Sequence, residues 1–548
     1  MFNLKSIYFY FLAIQITLKK FIKKIYFSTS YYNKSLISKT PQQFYFHPNP
    51  FLLASITNYK KYSFKVSEVD PNLFWIKQKN IQEEKELNSF LWLNLIDRKN
   101  DGKMLQKIIN IWMLKHSNYK KDIWESSVLS KRIISWLLNV EIILNNGSFE
   151  FKKKFLNSII SQTNHLKKNI KFEKDYSKKL EILTALLLSG LVFKEYLDNY
   201  NVGIKELEKL VKTYFDDDGF PLTRNPSDLI FFSKYLLLCK ECIKDAQQYI
   251  PDFLDTIIDK NFICLKTILT PSDNIPLFNG GTEENLVKFN RFINELDYKS
   301  KNKKNIIGGI HVYRVKNDAI FFDIGEPPKK NFSKSYQSGP LSFEYYLDGV
   351  KIITNCGFGS NISSKAELLS RLTSAQSTLT VNDTSVTKFE RNKIVNKVFG
   401  NSIKNTFKIL NSDFNDNFNH IKLSASHNGY EKAFGCVHKR SISIDKKSKN
   451  LVGCDELTKE KDGKPLNYNI RFHLSPGLTA VKTMSGNSVL IQLSKNKSLL
   501  FTIKGESVAL EKSIFLGCNK ILENTCVTVS GNLVNKDKAV HWEIKKNI

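Results

Sequence analysis

The sequence predicts a chain in two parts, a helical array followed by a large antiparallel β-sandwich. Three observations carry this. At 548 residues the chain is too long for one hydrophobic core, so two large domains are expected. Up to about residue 300 apolar residues recur at spacings of three and four, and beyond it they alternate with period two. Just past that change, Asp348-Gly349 separates two alternating apolar runs, the strongest short-range signal for a hairpin.

Taken in order, residues 1–80 form an N-terminal basic segment and an extended arm. The mostly apolar run Ile7 to Ile16 reads equally as a short signal h-region or as part of an amphipathic basic helix, lying on a membrane surface or on the first domain. Lys19, Lys20, Lys23 and Lys24 interrupt it, no small-x-small site follows cleanly, and it is too short to span a bilayer. Residues 30–80 read as irregular, punctuated by Pro41, Pro48, Pro50 and Pro71. Residues 81–300 read as the helical domain. A helical run begins at Leu91, Trp92 and Leu95, continues through Ile108, Ile111 and Trp112, and goes on from Trp124 to Val140. Further helices fit Phe149 to Asn169, Lys179 to Tyr196, Val202 to Tyr214, Leu229 to Asp245, Pro251 to Thr270 and Glu283 to Leu296, in an α/α array with short connections. Lys299 to Asn305 is the expected linker. Residues 301–548 read as the sandwich. His311 to Val315 and Ala319 to Ile324 flank an Asn317-Asp318 turn, then comes the Asp348-Gly349 hairpin. Later strands fit Val395 to Phe399, Ser402 to Ile409, Ile421 to Ser426, Cys436 to Ile444, Leu451 to Leu457, Tyr468 to Leu474, Ser488 to Leu493, Ser498 to Ile503, Val508 to Leu516, Thr525 to Ser530 and Val540 to Lys545. No fixed period recurs, which excludes a propeller.

Composition narrows the function. Hydrophobic residues make up 42% of the chain, with a mean hydropathy of −0.29, as in a soluble globular protein. The net charge of +29 comes mostly from lysine and favours polyanionic partners: acidic polysaccharide, nucleic acid or a membrane surface. A spread lysine excess also fits a compositional bias of the genome. The eight cysteines are too sparse for a disulfide scaffold, and Cys239 and Cys242, inside a helical apolar run, read as core residues. The basic runs Lys301 to Lys304 and Lys446 to Lys449 read as solvated loops. There is no phosphate loop, nucleophile elbow or EF-hand, and no nucleic-acid motif, so no nucleic-acid partner and no cofactor are expected.

Several segments together resemble the heparinase II/III-like family. Trp112, Trp124 and Arg132 to Trp136 match its first helical hairpins. DGFPLTRNPS, Asp218 to Ser227, matches its DG…RNPS loop, and Leu277-Phe278-Asn279-Gly280 its LFNGG turn. The stretch from Ser335 to Ser385 matches its HAGTLSFE…NCG and HSTL segments, and His427 to Tyr430, Arg440, Cys454 to Leu457 and Arg471 to Leu474 match its sandwich motifs. The resemblance covers roughly residues 70 to 540. It implies an incomplete (α/α) toroid followed by a large antiparallel β-sandwich, with a sugar chain held between them. It also implies a polysaccharide lyase, a carbon–oxygen lyase cleaving a uronate-containing polysaccharide such as a glycosaminoglycan by β-elimination. The alternative is a degenerate relative that binds acidic polysaccharide without cleaving it. Family members work in the cell envelope or periplasm; the equivocal N-terminus leaves a cytoplasmic location open.

Elimination beside a uronate needs a group that neutralises the carboxylate, a base for the adjacent C–H and an acid for the leaving oxygen. Asn225 is the candidate neutraliser, with Arg224 beside it, and reads also as the cap of the next helix with Pro226 at its first position, two roles that are compatible. In that combined reading Arg224 points outward. Tyr336 is the nearest phenol; it reads as a tyrosine packed on the sheet edge, or as the base if a neighbouring Arg or Lys lowers its pKa. His427, at a strand-to-turn position with Tyr430, is the further catalytic candidate. His438 and Arg440 alternate on one strand face and Arg471 and His473 on another; each reads singly as a satisfied structural group, and together they read as groups pointing into one cleft. Gln337, Gln376, Tyr430, Arg440, Arg471 and His473 are the substrate-binding candidates. His165 reads as structural or as facing the toroid lumen.

The chain departs from the family at telling places. The loop's usual Tyr and His are Asp228 and Leu229. The usual histidines of HAGTLSFE and HSTL are Gln337 and Gln376, and the Asp of some relatives is Asn355. Where those relatives bind zinc this chain carries three neutral amides, poor zinc ligands, so a hydrogen-bonded amide cluster and no metal are expected there.

Overall fold

The computed structural model describes residues 4–42, 44–57, 70–75, 80–298, 303–459, 464–534 and 536–547. Part of the expected arm and most of the Lys299 to Asn305 linker lie outside these. The chain divides into two compact units: Met1–Phe215, Ile230–Phe262 and Lys288–Lys299 form the first, and Asp216–Leu229, Ile263–Val287 and Ser300–Ile548 the second. The loop of Asp218 to Ser227 and the turn at Asn279-Gly280 therefore belong with the sandwich, although the helical region surrounds them in sequence.

The helices in chain order are α1 (Leu4–Phe27), α2 (Ser30–Lys34), α3 (Pro71–Phe74), α4 (Ile81–Asn88), α5 (Gly102–His116), α6 (Ser126–Leu138), α7 (Val140–Leu144), α8 (Phe149–Asn169), α9 (Tyr176–Val192), α10 (Leu197–Tyr214), α11 (Pro226–Asp245), α12 (Asp252–Ile268) and α13 (Val287–Glu295). The Leu91 to Leu95 stretch is a 3-10 turn rather than the start of a long helix, because Phe90 before it is left-handed (φ 58°). The early aromatics make a core: Phe90, Trp112 and Trp136 meet edge to face, and the buried Arg132 guanidinium lies 4.5 Å over Trp112. Arg132 donates to Gln162 Oε1 at 2.7 Å and to the Asn88 and Ile123 carbonyls. The arm packs on this core, with the Tyr32 hydroxyl 2.8 Å from His165 Nδ1, so His165 is buried and partnered. Cys239 and Cys242 are core residues of α11.

The second unit holds two antiparallel sheets. Its strands are β1 (Ile306–Ile307), β2 (Ile310–Val315), β3 (Asp318–Asp323), β4 (Phe343–Leu347), β5 (Val350–Thr354), β6 (Leu379–Val381), β7 (Ile409–Asp416), β8 (His420–His427), β9 (Cys436–Asp445), β10 (Leu451–Lys459), β11 (Leu466–Leu474), β12 (Thr479–Lys482), β13 (Ser488–Ser494), β14 (Lys497–Ile503), β15 (Val508–Phe515), β16 (Leu522–Leu533) and β17 (Asp537–Asn547). One sheet runs β1-β2-β3-β4-β5-β11-β16-β15 with β6 on β11, the other β12-β13-β14-β17-β10-β9-β8-β7. Asp348 (φ 50°) and Gly349 (φ 84°) turn the β4–β5 hairpin, the positive φ pair that a right-twisted two-residue turn demands. Phe343 stacks on Trp542 at 5.7 Å, and Phe472 meets the same indole at 5.0 Å, joining the sheets through one apolar core.

Three local expectations are corrected. Val395 to Phe399 is helical, within Lys393–Phe399, because Asn392 Oδ1 accepts from the Ile394 and Val395 N–H groups and outweighs the β-branched residues. Ser402 to Lys408 forms no strand beyond a single bridge at Ile403; the strand starts at Ile409. The β2–β3 turn is Lys316-Asn317, with Lys316 left-handed (φ 52°), and Asp318 already pairs with Val315.

Candidate functional site

The Arg224 side chain is fixed by glycines. Its Nε donates to the Gly308 carbonyl at 2.8 Å and its Nη1 to the Gly325 and Glu326 carbonyls at 3.0 Å. Its Nη2 donates to the Gly309 carbonyl at 3.3 Å and to the Asp323 carboxylate. A Cβ on Gly325 would stand 2.2 Å from this guanidinium, so the slot exists only because glycine lines it. All five N–H donors of Arg224 are used inside the unit. It does not point outward, and no donor is left for a uronate carboxylate. Burial pushes the Asp323 carboxyl up, opposed by Arg224 and the Gly325 N–H.

Asn225 caps α11. Its Oδ1 accepts from the Ser227 N–H at 2.9 Å and Pro226 opens the helix, which is the cap reading. Its Nδ2 lies against Gly280, where a Cβ would come within 2.8 Å. Asp228, at the family's Tyr position, accepts from the Thr223 hydroxyl at 2.6 Å, and Leu229 is buried.

The amides that stand for the family's histidines are brought together. Gln337 Oε1 accepts from the Gly280 N–H at 2.9 Å, and its Nε2 donates to the Gly357 and Ser370 carbonyls at 3.0 and 2.8 Å. Gln376 Nε2 donates to the same Ser370 carbonyl at 2.8 Å. Asn355 Oδ1 accepts from the Ser377 N–H at 3.0 Å. All three side chains are buried. The Ser370 carbonyl that joins the two glutamines carries no sequence signal of its own. Among the described residues no group of three His, Cys, Asp or Glu is placed to hold a metal.

The histidines form a second network, across four adjacent strands. The Gly429 N–H donates to His427 Nδ1 at 3.0 Å, which leaves the proton on His427 Nε2, 3.2 Å from His438 Nδ1. His438 Nε2 then donates to Asp455 Oδ1 at 2.8 Å. Arg440 grips the same carboxylate through Nε and Nη2 at 2.8 and 3.1 Å, and Trp542 Nε1 donates to Oδ2 at 2.9 Å. Register explains the convergence: His427 is opposite His438, and Arg440 is opposite Asp455. Gly453, opposite Trp542, leaves the indole room, since a Cβ there would stand 2.1 Å from it. Burial resists charge throughout, yet Arg440 and His438 hold Asp455 well below the usual carboxylate range, while burial and Arg440 keep both histidines neutral. Asp455 lies in the family-like Cys454 to Leu457 motif, and nothing in the sequence marks it as the hub.

The remaining candidates are dispersed. Tyr336 is buried, and burial, with Asp323 adding, pushes its phenol up rather than down as a base requires. The Tyr430 hydroxyl donates to the Leu379 carbonyl at 3.0 Å. Arg440 reaches across the sandwich, its Nη1 donating to the Leu341 and Ser377 carbonyls at 2.9 and 2.7 Å. His438 and Arg440 share the inward face of β9 with core residues Cys436, Ile442 and Ile444. Arg471 and His473 lie on the other side of β11 from Ile470 and Phe472 of that core, so the two pairs do not meet in one cleft. His473 Nε2 donates to the Ser374 carbonyl at 3.1 Å and its Nδ1 lies 2.9 Å from the Ser513 hydroxyl. Arg471 Nη1 donates to Thr380 Oγ1 at 2.8 Å; its side chain, 15% exposed, is the most open of the ten candidates' charged groups.

Comparison with known proteins gives this architecture its place. Residues 307–543 match the family described as Heparinase II/III-like, C-terminal. A mutant of the heparan sulfate lyase HepC from Pedobacter heparinus superposes with a TM-score of 0.65 at 16% identity, covering 91% of this chain and 82% of that one. A heparinase III structure gives 0.65 at 16% identity, over 89% and 79%. Among curated proteins, FtsZ-localized protein C of Caulobacter vibrioides is 22% identical over 432 residues, 75% of this chain and 72% of its own length. The helical half followed by the two sheets is the fold of these lyase structures, a helical toroid and then a β domain. Residues 307–543 match a heparinase II/III-like C-terminal domain, and the chain shares the fold of the heparinase III structures.

Proposed function

We propose that the protein binds an acidic, uronate-containing polysaccharide and does not cleave it through the positions at which its lyase relatives resemble it. One observation carries this reading: most of the charged and polar side chains at the positions where the lyase relatives resemble this chain are bonded inside the fold. Arg224 has all five donors bonded, Gln337 bonds through both ends of its amide, and the His427–His438 pair is closed by Gly429 at one end and Asp455 at the other. Elimination needs such groups free to meet substrate. The net charge of +29 supports a polyanionic ligand. A ligand of this class supports a place in the cell envelope as part of the same proposal. A second reading, cleavage by β-elimination, draws on the fold relative that is named a heparan sulfate lyase.

Titration of the full chain with heparan sulfate, hyaluronan and alginate, against neutral dextran, tests the binding. Saturable binding to at least one uronate polymer, weakened by salt and absent with dextran, is the expected result. Equal affinity for dextran, or no binding to any uronate polymer, overturns the proposal.

A further inference from the structure

α1 carries more exposed apolar surface than its contacts account for. Tyr8, Phe11, Leu18, Phe21, Ile22 and Ile25 are each at least 55% exposed. At 3.6 residues per turn they occupy one arc of roughly 140°. Lys19 adjoins one rim of that arc and Lys24 lies beyond the other. The opposite face is where the helix packs. Ala13 is buried, Phe27 meets the Tyr32, Tyr119 and His165 rings at 4.5 to 5.1 Å, and Lys23 Nζ sits 4.2 Å over the Phe172 ring. Contact with the first unit therefore fixes which face is free.

We propose that α1 is a monotopic membrane-binding element, its apolar arc inserted among the acyl chains of an anionic bilayer and its lysines against the headgroups. The chemistry selects this occupant. Lys19, Lys20 and Lys24 fall within six residues and are exposed, whereas Lys23 is taken up against Phe172, and no described helix is long and apolar enough to cross a membrane. A long helix that presents an apolar arc with basic rims lies in the interface plane. A second copy of the same helix would set lysine against lysine, whereas an anionic lipid surface complements them.

The test is flotation of the full-length protein with vesicles of phosphatidylcholine alone or with phosphatidylglycerol added. Flotation only with the anionic vesicles is expected. Phe11→Glu/Leu18→Glu should reduce binding at least tenfold. Lys19→Glu/Lys20→Glu/Lys24→Glu should reduce it about fivefold or more for each charge removed. Both variants should keep the wild-type unfolding transition, because the substituted side chains are exposed. A Phe11→Trp variant should shift its fluorescence to the blue on adding anionic vesicles. No flotation, equal flotation with neutral vesicles, or binding indifferent to both variants overturns the proposal. So does a lipid-free dimer that Phe11→Glu/Leu18→Glu dissociates, which would make a second copy the occupant. So does a protein isolated from cells that begins beyond Phe27.

Discussion

Replacing Asp455 by asparagine removes one charge from the buried cluster while nearly preserving shape. The carboxylate accepts from His438, from Arg440 through two nitrogens and from Trp542, and both it and Arg440 are fully buried. An amide offers one acceptor oxygen where two now serve four donors, and it turns an NH2 toward other donors. Leaving the guanidinium uncompensated costs about 3–5 kcal/mol. For a unit of this size about 4 kcal/mol lowers the melting temperature by roughly 7 °C. Thermal and urea unfolding followed by circular dichroism read this directly. The double replacement Arg440→Met/Asp455→Leu should recover a large part of the loss, because no unpaired charge then remains buried. A change below about 1 kcal/mol for Asp455→Asn, or a double variant weaker than the single one, would refute the reasoning that this network is held by compensated charge.

Other outcomes follow from the same geometry. Arg224→Lys should destabilise the second unit by about 3 kcal/mol or more in urea unfolding, since one ammonium cannot reach the carbonyls that the guanidinium fork spans. Gly453→Ala should cost about 2 kcal/mol or more in the same assay, because its methyl would meet the Trp542 ring at 2.1 Å. Acid should weaken the fold well before the carboxylates titrate. His165, His427, His438 and His473 are held neutral by burial, with folded values of about 3 for His165 and about 4 for His473. Their stabilisation is complete above the unfolded value of about 6.5 and is lost as pH falls below it, each group adding up to ~1.4 kcal/mol per pH unit. Unfolding free energies measured between pH 7 and 5 should decline steeply, and a flat profile would contradict the neutral assignments.

The two-part architecture was legible because periodicity is a local property: Phe149–Asn169 is helical over the bounds its spacing predicts, and the Asp348-Gly349 turn holds the left-handed pair its residues favour. The errors sit where a single cap overrules a run, as Asn392 does for Lys393–Phe399. The candidate site was legible as a set of residues but not as an arrangement. Gln337 and Gln376 were recognisable as amides in the place of imidazoles, and they do form a bonded cluster. The acceptor that joins them, the Ser370 carbonyl, is backbone and so invisible to sequence reasoning. Arg224 was singled out for a charge it has, while its partners are the carbonyls of Gly308, Gly309 and Gly325, about 80 to 100 residues away. His438 and Arg440 were seen to share a face. That the face turns inward on Asp455 follows from strand register, which one sequence does not fix.

The central claim is that the groups offered for elimination are structural, and the most direct measurement is turnover itself. Purified full-length protein is mixed with heparan sulfate, hyaluronan and alginate, and absorbance of an unsaturated uronate product is followed continuously, with a heparan sulfate lyase as the positive control. The account predicts no product from any polymer under conditions where binding saturates. Product formation above background, abolished by Asn225→Ala or by Tyr336→Phe in a variant that still folds, would contradict it.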